Sequence, residues 1–164
     1  MSDVSPPKAQ SEHEWLQQLV GEWTWESDAP GEPGKEIQKH TGSEVVRSLN
    51  GIWIVAEGRG TSPDSAPSTT IMTLGYSPER NKYVGTFVAS MMTDLWLYEG
   101  WLEADRNALV LDTEGPSFPD MSRRSKYKDT IRIIDGNNRV LTSQYQDESG
   151  HWNEFMTARY RRSR

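Results

Sequence analysis

The sequence predicts an all-β fold: an antiparallel up-and-down barrel of about ten strands, with one short helix at its N-terminal end. Three observations carry this expectation. From Gly21 onward the hydrophobic pattern has period two, turn residues recur roughly every ten positions, and no second segment has helical period. Many short, evenly spaced strands make a sandwich or a barrel, and mostly short connections favour the barrel, because closure removes the edges that a long meander exposes. Finally, only 34% of the residues are hydrophobic, yet 10% are aromatic and seven are Trp. That apolar supply is too small for a solid core and too concentrated in large rings for a disordered chain, and it fits a barrel with a partly polar lumen.

With 164 residues the chain is expected to form one domain. Residues 1–10, with Pro6 and Pro7, read as a disordered leader, and 11–164 as a single barrel domain. Ser11 and Glu14 have the spacing of a capping box, and Trp15, Leu16 and Leu19 form one apolar stripe that Gly21 ends, so a helix is expected over about Glu12–Val20 as a plug or cap on the fold. The expected strands are Glu22–Ser27, Glu36–Ser48, Ile52–Gly60, Thr69–Tyr76, Tyr83–Ala89, Leu95–Glu103, Ala108–Glu114, Arg123–Ile134, Arg139–Gln146 and Trp152–Arg161. Their connections carry turn chemistry: Pro30-Gly31 with Pro33-Gly34, Asn50-Gly51, Ser77-Pro78, Asp105 with Asn107, Asp135 to Asn138, and Ser149-Gly150. The Ser- and Pro-rich stretch Ser62–Ser68 reads as a flexible loop at one barrel mouth.

Composition excludes several classes of function. Eighteen Lys and Arg against 24 Asp and Glu leave a net charge of −6, which repels nucleic acid and anionic membrane surfaces. The run Arg123, Arg124, Lys126, Lys128 therefore reads as solvated barrel exterior. Cysteine is absent, which removes disulfides, thiolate metal sites and thiol nucleophiles. No basic-then-apolar leader and no long apolar run is present, so a cytoplasmic, bacterial-type protein is expected, with no membrane partner.

Gly21-Glu22-Trp23, just after the helix and opening the first strand, resembles the Gly-x-Trp pattern of the calycin barrels, the group that includes lipocalins. The resemblance implies that Trp23 closes one barrel end against an Arg of the last strand, for which Arg159 and Arg161 are the candidates. An ordered set of further blocks, Gly51-Ile52-Trp53, Gly75-Tyr76-Ser77-Pro78, Gly85-Thr86-Phe87, Ser90-Met91-Met92, Leu95 to Gly100, Glu114 to Phe118 and Phe155 to Arg161, is similar to a family of uncharacterised bacterial calycin-like proteins. It implies a lipocalin-like barrel and transfers no catalytic residue.

Candidate lumen residues follow from the rings and the polar groups among them: Trp25, Trp53, Glu57, Tyr76, Phe87, Trp96, Tyr98, Arg132 and Tyr145. Trp96 and Tyr98 share one face of their strand and Leu95 and Leu97 the other, while Trp53, Val55 and Glu57 oppose Ile54 and Ala56. Both faces are apolar, so alternation leaves open which is inside. Either the rings line a cavity for a small apolar or amphipathic molecule or they fill it. Ten-stranded fatty-acid carriers hold a carboxylate with an Arg-x-Tyr pair on the last strand; here Arg159 is followed directly by Tyr160, so that anchor is not carried over, and Arg132, Tyr127 and Tyr145 are the substitutes.

The expected function is ligand binding in the lumen. The alternatives are an enzyme of hydrolase or isomerase type in the same cavity, or a ligand-free structural or interaction protein. No catalytic set, cofactor or metal site is expected. His13, His40 and His151 have no metal-binding spacing, and Ser90 lacks a nucleophile elbow. His40 and Glu44 share a strand face and could be joined by Glu57 across the hairpin as an acid–base pair or metal site. A homodimer through Met91–Trp96 is expected, since adjacent thioethers beside a Trp make an adaptable apolar surface.

Overall fold

The computed structural model describes residues 5–28, 39–62, 65–117 and 120–164. One helix and ten strands follow in order: α1 Ser11–Gln17, β1 Gly21–Asp28, β2 Lys39–Leu49, β3 Trp53–Ser62, β4 Ser65–Ser77, β5 Lys82–Ala89, β6 Trp96–Leu102, β7 Ala108–Pro116, β8 Arg124–Asp135, β9 Asn138–Gln146 and β10 Trp152–Arg162. All ten strands pair antiparallel with their chain neighbours, and β1 also pairs with β10, closing the barrel. The fold is the expected one.

The expected start of the second strand at Glu36, the turns at Pro30-Gly31 and Pro33-Gly34, and Phe118 lie outside the described residues. The expected loop Ser62–Ser68 is largely strand: β4 begins at Ser65, which pairs with Ser62 across a register shift. Residues 5–10 carry neither helix nor strand and are exposed.

Alternation assigns the two faces. Trp23 and Ser27 of β1, Ile54 and Ala56 of β3, Leu109 and Leu111 of β7, and Tyr127 and Ile131 of β8 are buried. Their neighbours Thr24, Arg59 and Glu114 are exposed. A register shift between Glu154 and Met156 in β10 brings both Phe155 and Met156 to the interior, breaking the simple period.

The helix closes one end. Leu16 and Leu19 are fully buried beneath it, Trp15 Nε1 donates to the Arg106 carbonyl at 2.7 Å, and the Tyr83 hydroxyl donates to the Glu12 carbonyl at 2.9 Å. The cap sits one residue before the expected Ser11–Glu14 box: His13 Nδ1 accepts from the Gln10 N–H at 2.9 Å. That leaves His13 Nε2 to donate to the Tyr76 carbonyl, 3.1 Å away on β4. The helix ends at Gln17 rather than Val20, because the chain must turn into β1 at Gly21. Gly21 has φ +142°, and a Cβ there would lie 2.3 Å from Arg162 Nη1, so this first residue of Gly-x-Trp can only be glycine.

Candidate functional site

Inside the barrel lies a cavity of about 450 Å³. Its walls are Val46, Ile54, Met72, Leu74, Leu141 and Met156, an apolar sleeve contributed by five strands. At its open end stand His40, Phe155 and Met91, the last 64% exposed, so the cavity opens at the end opposite α1. At its closed end the sleeve gives way to charge.

Trp23 is the base of that end. Its Nε1 donates to the Leu19 carbonyl at 2.9 Å, and two guanidiniums cover its ring, Arg162 at 4.3 Å and Arg139 at 4.5 Å. The barrel-closing Arg of the last strand is thus Arg162. Its guanidinium also donates to the carbonyls of Val20 at 2.6 Å, Gln18 at 2.8 Å and Gly136 at 2.9 Å, strapping the helix exit to the β8–β9 turn. The two expected candidates point elsewhere, because alternation from Arg162 puts Arg161 on the opposite face. Arg159 is on that face too and pairs outside the barrel with Asp28 at 3.3 Å and Glu26 at 3.7 Å.

Arg139, on β9, is only 4% exposed and forms an ion pair with Glu44 of β2, which reaches across the interior. The Tyr160 ring stacks on the same guanidinium at 3.9 Å. Arg139 Nε is buried without a hydrogen-bond partner among the described residues. Burial, with the Glu44 charge beside it, pushes the Tyr160 hydroxyl above the usual phenol range, so it stays protonated. Glu44, Arg139 and Tyr160 all line the cavity. The cavity therefore offers an ion pair of zero net charge and a protonated hydroxyl at the end of an apolar tube.

A second buried polar group supports the wall between β6, β8 and β9. The Tyr98 hydroxyl donates to Asp129 Oδ2 at 2.5 Å and the Ser143 hydroxyl to Oδ1 at 2.6 Å. Burial raises the Asp129 carboxyl above its ordinary value, and the two donors act against that rise. Tyr98 is pushed well up by burial and by the Asp129 charge.

Of the residues singled out in the sequence, Trp25 and Phe87 line the cavity. The Trp25 ring lies in a notch over Gly42 and Gly60; a Cβ on Gly42 would come within 2.4 Å of it. Trp96 and Tyr98 are buried in the wall, Trp96 edge-on to Tyr127 with ring centroids 5.2 Å apart. Tyr145 packs against Phe155 at 6.0 Å, and Tyr76 sits under the helix against His13 and Tyr83. Three candidates are on the outer surface. Trp53 is 40% exposed and covers Gly75. Glu57 pairs with Arg59 at 3.1 Å, and Arg132 with Glu103 at 3.0 Å. With Ile54 and Ala56 inward, Trp53 and Glu57 must face out.

His40 and Glu44 do share the inward face, but Glu57 cannot join them, and no cluster of three His, Asp or Glu suited to a metal occurs among the described residues. The Met91–Trp96 surface also separates: Trp96 is buried with its Nε1 against Met92 Sδ at 3.0 Å, leaving Met91 at the mouth and Leu95 exposed. Lys128, from the basic run, lies outside over the Trp152 ring at 4.4 Å.

Arg139, Asp129 and Tyr160 were not among the sequence candidates. A signal existed: Tyr127, Asp129, Ile131 and Ile133 share one strand face, and Arg139, Leu141, Ser143 and Tyr145 another, each an apolar row interrupted by one charge.

Residues 8–162 match the family described as a protein of unknown function, DUF1579. The chain belongs to this family. Its members' barrel has relatives among solved structures. The DUF1579 chain is similar to Rv2717c from M. tuberculosis at 12% identity and TM-score 0.64, covering 96% of this chain and 100% of that one. It is also similar to the S-type phycobiliprotein lyase CPES from Guillardia theta at 12% identity and TM-score 0.58, covering 95% and 99%. At that identity the likeness is one of fold. No curated protein sequence matches at a significant level.

Proposed function

We propose that this DUF1579 protein binds a small amphipathic molecule in its lumen, the apolar body along the sleeve and the polar end at Glu44, Arg139 and Tyr160. The observation that carries the reading is the cavity itself: about 450 Å³, within the roughly 300–1,000 Å³ usual for ligand sites, apolar along its length and polar at its closed end. A barrel that only needed to be stable would fill this space, since unfilled volume forfeits dispersion contacts. The chain acts as a carrier or sensor in this reading, working in the cytoplasm, where a fold held without thiols is unaffected by reduction.

Native mass spectrometry of the purified protein, together with titration of apolar and amphipathic compounds against tryptophan emission, tests the reading. Trp25 lines the cavity, so an occupant changes its emission. The expected result is a stoichiometric complex whose emission change disappears in Leu141→Trp, which fills the sleeve. Failure of every compound class to bind overturns it. Turnover of ester or lactone substrates, abolished by His40→Ala at the mouth, replaces it with an enzyme.

A further inference from the structure

The fit of a polar end depends on what charge the closed end of the cavity can accept, and that charge is already balanced. Arg139 is the cation of the lumen wall at that depth, and Glu44 holds one of its terminal nitrogens. The Trp23 and Tyr160 rings both pack on the guanidinium, at 4.5 and 3.9 Å, which restricts how an incoming group can approach it. Glu44 keeps its second oxygen, Oε2, without a hydrogen bond among the described residues, on the same wall as Gly58, its ladder partner on β3. The Tyr160 hydroxyl likewise has no acceptor among the described residues. One open acceptor, Glu44 Oε2, and one open donor, the Tyr160 hydroxyl, therefore belong to residues lining the same cavity as the Arg139–Glu44 pair.

We infer that the lumen selects an uncharged polar head able both to donate and to accept, a hydroxyl or a primary amide on an apolar chain, and rejects the corresponding free carboxylate. This deepens the proposed binding function and rests on it. A hydroxyl donates to Glu44 Oε2 while accepting from the Tyr160 hydroxyl, so both of these polar groups gain a partner. A carboxylate has no proton to give Glu44, adds a second anion beside it in a low-dielectric pocket, and can use Arg139 only by displacing Glu44 into an unpaired buried state. An ammonium head meets the mirror problem at Arg139. Fatty-acid carriers with a free cationic anchor accept what this pocket excludes, and Glu44 makes the difference.

The experiment compares dodecanol, dodecanamide, laurate and dodecylamine, one chain length with four heads, by tryptophan-emission titration and native mass spectrometry at neutral pH. The wild-type protein is expected to bind the alcohol and the amide at least about tenfold more tightly than laurate or the amine, the difference of one unpaired buried charge. In Glu44→Gln, which keeps the side-chain size and frees the Arg139 charge, laurate is expected to overtake dodecanol. Circular dichroism confirms that the variant keeps its strands, and the wild-type ranking stands as a test without it. Laurate or the amine binding wild type as tightly as dodecanol overturns the inference and leaves lumen binding intact. An unchanged ranking in folded Glu44→Gln overturns the assignment to Glu44. If none of the four probes binds, both the inference and the reading beneath it fail.

Discussion

Asp129 shows how a single buried carboxyl makes the whole fold sensitive to pH. Its carboxyl is raised in the folded state above its ordinary value near 3.8 because burial disfavours the charge. A group raised in this way stabilises the fold fully below its ordinary value, and the contribution is lost as pH rises through the folded value. Exposed carboxyls act in the opposite direction: hydrogen bonds from Ser122 hold Asp120 low, and Asn153 does the same for Asp147, so their contribution is lost as pH falls. The wild-type curve mixes the two, and Asp129→Asn removes only the first. Urea midpoints measured across acid and neutral pH should therefore show the variant gaining stability relative to wild type as pH rises. Equal slopes for the two proteins would show that the carboxyl ionises freely. Tyr98→Phe, which takes away one of the two donors to a buried acceptor, should cost about 1–3 kcal/mol at neutral pH.

At the scale of the elements, the closed end is held by side chains from the last strand rather than by the helix alone. Arg162 reaches three carbonyls from two segments and stacks on Trp23. Arg162→Ala is expected to lose about 1–3 kcal/mol in denaturant titration, whereas Arg161→Ala, next door on the outer face, should stay within about 0.5 kcal/mol of wild type. The same pair shows what the sequence discloses. Ten strands were legible because period two and turn residues are local signals, and Gly21-x-Trp23 marked the closing Trp correctly. Which arginine meets that Trp depends on register across β1 and β10, where Trp23 pairs with Arg162, and a shift of one residue reverses every face. Trp53 was assigned to the lumen for a related reason. Its strand is apolar on both sides, and the residues that turn inward, Ile54, Ala56 and Gly58, include small ones that leave the cavity open. The polar end of the site was hidden because Glu44 and Arg139 are 95 residues apart, and only barrel closure brings them together.

On the scale of the molecule, the net charge is −6, Lys128 of the basic run lies on the outside, and inside the barrel Arg139 is balanced by Glu44. The strand order has a kinetic consequence. Nine of the ten ladders join strands adjacent in the chain, each able to zip from its own short connection, but the ladder between β1 and β10 joins residues as distant as Thr24 and Arg161, 137 positions apart. Loop-closure entropy falls on this one seam, so it gains its ladder only after the nine local ones have shortened the path between the chain ends. In a pulsed hydrogen-exchange refolding experiment, amides of the β3–β4 ladder should be protected earlier than the β1 amides bonded to β10; simultaneous protection would mean that the barrel forms in one concerted step. A nascent chain leaving the ribosome would meet the same constraint, as an open curled sheet with its lumen exposed until the final strand, carrying Tyr160 and Arg162, arrives to complete both the wall and the floor.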